Sequence, residues 1–155
     1  MTPAINLAKK AKITYNIHAY EHDEASESYG LEASEKLAVP EGQVFKTLVV
    51  SLDSQELAVG VVPVSCMLNM KSMAKAVGAK KAVMATQADV ERATGYVLGG
   101  VSPLGQKKRL TTVIDTSAQN YSTIYVSAGR RGLEIELCPS DLAKLVSGTF
   151  AEIAQ

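Results

Sequence analysis

The segment Phe45–Pro63 constrains the fold of this chain more than any other. Phe45-Lys46-Thr47-Leu48-Val49-Val50-Ser51-Leu52 is an almost continuous apolar and β-branched run, the pattern of a strand covered on both faces. Asp53-Ser54-Gln55-Glu56 reads as a turn and Leu57 to Pro63 as the returning strand, so the two form a hairpin. The rest of the chain must build around it. Thr2-Pro3 opens a helix as an N-cap followed by proline at the first helical position, with Lys9, Lys10 and Lys12 near its negative end. Ile13 to Glu21 alternates: Ile13, Tyr15, Ile17 and Ala19 are predicted to be buried, with Thr14, Asn16, His18 and Tyr20 opposite. His22 to Ser28 is a polar loop. Tyr29 to Ala38 is a short helix with Leu31, Ala33 and Leu37 inward, stopped by Val39-Pro40-Glu41-Gly42.

Beyond the hairpin, Asn69 caps a helix over Lys71 to Val77 that Gly78 closes, and Lys81 to Met84 is a short strand. Thr86-Gln87-Ala88-Asp89 opens a helix that ends near Thr94-Gly95. Thr111–Ile114, Thr123–Ser127 and Leu133–Leu137 are further strands, Ser140 caps a last helix over Asp141 to Val146, and Thr149 to Ile153 adds an edge strand. Hairpins and helical connections together predict an α+β (mixed α/β) fold. The expected architecture is one domain over residues 1–155, with a curled, mixed, largely antiparallel sheet of about seven strands flanked by helices.

Composition excludes several classes. At 155 residues and 46% apolar content the chain supports a hydrophobic core and is not disordered. Aromatics are only 5%, so valine, alanine and leucine fill most of that core. The formal net charge is zero, which argues against strong unaided nucleic-acid binding; any such contact uses Lys80-Lys81, Lys107-Lys108-Arg109 or Arg130-Arg131. Cys66 and Cys138 have no metal-ligand spacing. No run of about 18 apolar residues marks a membrane span, and the start reads as an amphipathic helix, not a signal peptide. The expectation is a cytoplasmic protein with reduced cysteines.

The second informative segment is Gly95-Tyr96-Val97-Leu98-Gly99-Gly100-Val101-Ser102-Pro103-Leu104-Gly105-Gln106-Lys107-Lys108-Arg109. It carries four glycines, yet Tyr96, Val97, Leu98, Val101 and Leu104 expect burial. Either it is a shaped loop that brings backbone groups to a small ligand, with a basic edge for phosphate, or it is a hairpin turn with a solvated basic tail. It matches neither the Walker A pattern nor the dinucleotide fingerprint.

Side-chain chemistry is sparse. His18 and His22 lie four apart; on a strand that is roughly 13 Å, too far for one metal to bridge. Cys66 sits in an apolar context that suits an inert thiol. Glu134 and Glu136 share a strand face, which is either a carboxylate pair or a solvated surface. Lys46 reads as a lysine at a strand end, snorkelling to water. Tyr20, an aromatic on a polar strand face, is a pocket-lining candidate. With no nucleophile–base pair evident, a shaped pocket, backbone dipoles and one lysine become the available tools.

Three blocks carry a resemblance: Phe45-Lys46-Thr47-Leu48, Gly95 to Arg109, and Ile124-Tyr125-Val126-Ser127-Ala128-Gly129-Arg130-Arg131-Gly132. Together with the opening Met1-Thr2-Pro3-Ala4, they resemble the signature blocks of the YbaK/prolyl-tRNA synthetase editing-domain family of trans-editing aminoacyl-tRNA deacylases. The likeness covers nearly the whole chain. It implies a deacylase that clears cysteine mischarged onto proline tRNA, and Cys-tRNA(Cys) as a further substrate. It implies action beside prolyl-tRNA synthetase, with no metal or other cofactor and no DNA or membrane partner. It implies Lys46 as the key residue, holding the terminal adenosine and ester end. It places Gly99, Gly100, Val101, Ser102 and Pro103 in the wall of the aminoacyl pocket, and Tyr20, Tyr29, Thr47 and Glu134 at substrate-binding positions. The family's proposed mechanism has the substrate thiol attack its own ester. Tyr29 stands where phenylalanine is common, Ala128 where glycine is common, and Glu134 where an acidic residue, Asp in relatives, is expected. The alternatives are a deacylase for Ala-tRNA(Pro) or another small aminoacyl-tRNA using an activated water, and a non-catalytic module that binds aminoacyl-tRNA or a synthetase.

Overall fold

The computed structural model describes residues 1–26 and 29–155; the Glu27-Ser28 portion of the expected 22–28 loop lies outside the described residues. Among the described residues there are five α-helices and eight strands: α1 (Pro3–Ala11), β1 (Tyr15–Ala19), α2 (Tyr29–Leu37), β2 (Phe45–Leu52), β3 (Leu57–Pro63), α3 (Met70–Ala76), β4 (Ala82–Met84), α4 (Gln87–Thr94), β5 (Thr111–Asp115), β6 (Ile124–Arg130), β7 (Leu133–Leu137), α5 (Pro139–Val146) and β8 (Thr149–Ala151). The expected mixed α+β architecture is present, with the strands divided between two sheets. Five form a mixed sheet in the order β4-β2-β3-β5-β8, and three form an antiparallel sheet in the order β1-β7-β6. The division arises because β1 pairs with the distant β7, not with its neighbour in sequence.

The β2–β3 hairpin runs in register from Phe45↔Pro63 to Ser51↔Leu57. β3 pairs in parallel with β5, and β5 with β8, so long crossovers through the helices are obligatory. Where the two sheets approach, Val44 bridges Tyr125 and its carbonyl accepts from Val64 N at 2.8 Å.

The hairpin's continuous apolar pattern follows from burial on both faces. Phe45, Val49, Val59 and Val61 pack with Ala4 and Ala8 of α1, Leu142 of α5, and Val126, Ile135 and Leu137 of the smaller sheet. Val50, Ala58 and Val62 pack on the opposite side with Met73, Leu68, Val113 and Ile153. Each buried valine or isoleucine contributes roughly 1.5–3 kcal/mol.

Helix starts follow local chemistry, with one correction. Thr2 Oγ1 accepts from Ile5 N, Asn69 Oδ1 from Ser72 N, and Thr86 Oγ1 from Asp89 N. The last helix starts earlier than expected: Cys138 is its N-cap and Pro139 its first residue, so Ser140 lies inside it.

Three burial expectations are also corrected. Ile17 and Ala19 are exposed, because β1 is an edge strand whose apolar face is incompletely covered. α2 buries Glu32, Ala33 and Ser34 and exposes Leu31, a rotation explained by the polar contacts of Glu32 described below. Val97 and Leu98 are 64% and 50% exposed, whereas Tyr96, Val101 and Leu104 are buried as expected. Among the described residues, no helix is long and apolar enough to cross a membrane.

Candidate active site

A cavity of about 380 Å³ opens between the two sheets. Its floor is Val44 and the first half of β2: Phe45, Lys46, Thr47 and Leu48 line it with Val44. A strand shows alternate residues to each face, so five consecutive lining residues mean that the cavity runs along the strand's edge. That edge is open because β4 pairs only with Val50, Ser51 and Leu52. The short β4 thus leaves the start of β2 free on the side opposite β3.

Lys46 is half-buried. Desolvation lowers its pKa from the usual lysine value, partly offset by the nearby Cys66, and none of the ion pairs among the described residues involves it. Its ammonium is therefore held where water solvates it poorly and no carboxylate neutralises it. Thr47 Oγ1 is buried without a hydrogen-bond partner among the described residues.

The facing wall comes from the β6–β7 hairpin. Glu134 opposes His18 on β1 and Ser127 on β6, and is 7% exposed. Burial pushes its carboxyl up to about 8, so it is largely protonated at neutral pH. The face shared by Glu134 and Glu136 is thus not a solvated surface. Glu136 bonds His18 Nε2 at 2.9 Å and accepts from Thr123 Oγ1 at 2.6 Å, and the Thr123 bond leads the effects that lower its pKa. Tyr20, also in the cavity wall, is raised to about 12 by desolvation and by the nearby Glu134 and Glu32.

The third wall is the segment between α4 and β5, which is a closed loop and not a plain turn. Lys107 N and Lys108 N donate to Thr94 and Ala93 carbonyls, so the loop's ends meet. Inside it, the Tyr96 hydroxyl donates to Leu104 O at 2.6 Å and Leu104 N donates to Ser102 Oγ at 3.2 Å. Gly99 has φ +93°, and a β-carbon there would lie 2.8 Å from the Tyr29 ring. A β-carbon on Gly100 would lie 2.6 Å from Arg130 Cα.

Lys46, Thr47, Tyr20, Tyr29, Gly99, Val101 and Glu134 are therefore brought together around one cavity. Gly100, Ser102 and Pro103 do not line it. Gly100 packs on the Arg130 backbone, Ser102 is fully buried as a hydrogen-bonding post of the loop, and Pro103 borders a second cleft. That cleft, about 220 Å³, lies between the loop, α1 and α5, and is lined by Lys108 and Arg109.

Arg131, Ser127 and Leu98 also line the first cavity and were not singled out from the sequence. Arg131 had the appearance of a surface cation in a basic turn. A bulge between Ser127 and Arg130 changes the register of β6 immediately before it. The buried acid Glu32 is its counterpart, and only a helix phase fixed by tertiary packing reveals that pair.

Comparison with known proteins adds the family. The aminoacyl-tRNA editing domain model matches residues 24–145. The chain is 40% identical over 98% of its length to EbsC of Enterococcus faecalis, a candidate Cys-tRNA(Pro)/Cys-tRNA(Cys) deacylase, and covers 92% of that protein. It is 27% identical over 84% of its length to a proline–tRNA ligase of Limosilactobacillus fermentum, matching 22% of that ligase. Among solved structures, a candidate trans-editing enzyme for prolyl tRNA synthetase superposes with TM-score 0.83 at 21% identity, covering 100% of this chain and 99% of that one. At that identity the structural likeness speaks to fold alone.

Proposed function

The chain belongs to the aminoacyl-tRNA editing domain family, and on that premise we propose that it is a trans-editing deacylase that removes cysteine from mischarged Cys-tRNA(Pro), and from Cys-tRNA(Cys) as a further substrate. One observation carries this reading: a poorly solvated lysine, without an ion-pair partner among the described residues, shares a small, largely apolar cavity with the glycine loop. The volume falls in the range of small-ligand pockets, roughly 300–1,000 Å³. It suits the aminoacylated end of a tRNA and not a folded macromolecule.

In this reading the Lys46 ammonium holds the terminal nucleotide and the ester end, its interaction strengthened by partial desolvation. Tyr20, Tyr29, Thr47, Gly99 and Val101 enclose the aminoacyl group, and Glu134 supplies the polar end of the wall. Gly100, Ser102 and Pro103 act from behind, holding the loop in shape. The substrate's own sulfur then attacks the ester carbonyl. A C–S bond forms, the C–O bond to the ribose breaks, and the thiol proton passes to the departing ribose oxygen. The product is a thiolactone that water later opens. The protein contributes orientation and charge stabilisation.

The reaction takes place in the cytoplasm, with prolyl-tRNA synthetase as the partner that delivers the tRNA. The zero net charge supports a need for such delivery. The test is single-turnover release of cysteine from Cys-tRNA(Pro), with Ala-tRNA(Pro) alongside. Cysteine release that Lys46→Ala abolishes is the expected result. Equal release of alanine would replace thiol attack by an activated water, and binding of both tRNAs without release would leave a non-catalytic module.

A further inference from the structure

Four contacts converge on the Arg131 guanidinium. Its Nε donates to Glu32 Oε1 at 3.4 Å, a terminal nitrogen donates to the carbonyls of Asp23 and Ser26 at 2.9 Å each, and Cζ lies 4.1 Å from the centroid of the Tyr29 ring. Glu32 is buried, and its second oxygen accepts from Asp23 N at 2.6 Å. The guanidinium therefore ties a turn of chain, a helix and an aromatic ring to the β6–β7 hairpin. Tyr29, in the cavity wall, is 42% exposed, so packing alone does not immobilise it. It is stacked on Arg131, and its Cδ2–Cε2 edge lies against Gly99, where any β-carbon would displace it.

We propose that Arg131 is a specificity-determining positioning residue: by holding Tyr29 against Gly99 and fastening the Asp23–Ser26 segment, it sets the width of the aminoacyl pocket, admitting small side chains and excluding bulky ones. The proposal rests on the deacylase reading above. The planar fork is essential to it. Five N–H donors in a rigid plane serve a carboxylate and two carbonyls while the face stacks on a ring, and a lysine cannot do both. A cation over an aromatic face is itself attractive, and more so where water is partly removed. Arg131 acts through Tyr29 and not on the ester, so its loss changes which aminoacyl groups fit more than how fast a fitting one reacts.

The experiment compares Arg131→Met, Arg131→Lys, Tyr29→Phe and Tyr29→Leu on one tRNA charged with cysteine or with leucine. The readout is the ratio of kcat/KM for the two substrates. Arg131→Met is expected to lower the cysteine preference roughly tenfold, the scale of one stacked cation with its charge-assisted bonds. Arg131→Lys restores only part of it. Tyr29→Phe keeps the ratio because the ring remains, and Tyr29→Leu lowers it. The Arg131→Met/Tyr29→Leu double variant loses no more than the worse single variant, because both act through one contact. Amide hydrogen exchange in Arg131→Met is expected to accelerate over residues 20–26 and 29–34 and to stay unchanged in β2 and β3. An active wild type with an unchanged ratio in folded Arg131→Met, or additive losses in the double variant, overturns the specificity role. Exchange that accelerates uniformly makes Arg131 a general stabiliser and overturns it equally. A wild type inert on both substrates sinks the deacylase reading, and this role with it.

Discussion

Two cavities flank the same closed loop, and their cations are held differently. In the larger one, Lys46 is half-buried, with no ion-pair partner among the described residues, and shares the cavity lining with a buried Glu134. In the smaller one, Lys108 and Arg109 stand exposed to water at the rim. Burial is what separates them. In the first cavity poor solvation shifts both ionisable groups toward their neutral forms and strengthens any interaction with a bound charge. At the second cleft water and salt screen each cation within about a Debye length of 8–10 Å. The first arrangement suits chemistry on a small group, and the second only weak attraction to a polyanion.

The hardest blow to this contrast is Lys46→Ala. Deacylation of Cys-tRNA(Pro) is expected to fall by about 10²–10³ in kcat/KM, the scale of one lost electrostatic stabiliser. A variant within twofold of wild type would erase the distinction between the cavities. Gly99→Ala comes next. Its positive φ and the clash with the Tyr29 ring predict a loss of more than 1 kcal/mol in stability, roughly, and an activity loss beyond what that explains. Urea unfolding with parallel kinetics checks it, and unchanged values would mean that the loop and ring adjust freely.

Glu134 gives a pH test. Its folded-state carboxyl titrates at about 8, and an unfolded glutamate near its usual value of roughly 4.3. Between those limits the folded protein keeps a proton that the unfolded chain has released, so this group's contribution to stability falls as pH rises. Removing the titration with Glu134→Gln is expected to raise Tm relative to wild type progressively from about pH 5 to pH 8, by several degrees at the upper end. A Tm difference that stays flat with pH would mean that the carboxyl is solvated. The smallest effect belongs to the second cleft. Lys108→Ala with Arg109→Ala is expected to leave single-turnover kcat nearly intact while weakening tRNA binding, with the log–log salt slope reduced by roughly 0.7–0.9 per cation removed. An unchanged slope would take those cations out of tRNA contact.

Much of the candidate site's lining is legible in the sequence. Lys46, Thr47, Tyr20, Tyr29, Gly99, Val101 and Glu134 were singled out, largely through the family resemblance of their segments, and they meet at one cavity. The residues alone left Lys46 a snorkelling strand-end lysine and Glu134 either half of a carboxylate pair or a solvated acid. Arg131 was legible only as part of a basic turn, because its meaning depends on Glu32, 99 positions away.

The sequence by itself determined the local elements: the β2–β3 hairpin from its apolar run, the helix starts from Thr2, Asn69 and Thr86, and the break of α4 at Gly95. These depend on neighbours a few residues apart, whose sterics and hydrogen bonds are encoded where they act. Only the tertiary structure decided that β1 joins β7, that the short β4 leaves the edge of β2 open, and that Glu134 faces a cavity. Those outcomes depend on which distant surfaces exclude water from one another. No local pattern records that choice, and it alone turns a lysine and a glutamate of ordinary composition into groups with altered proton affinity.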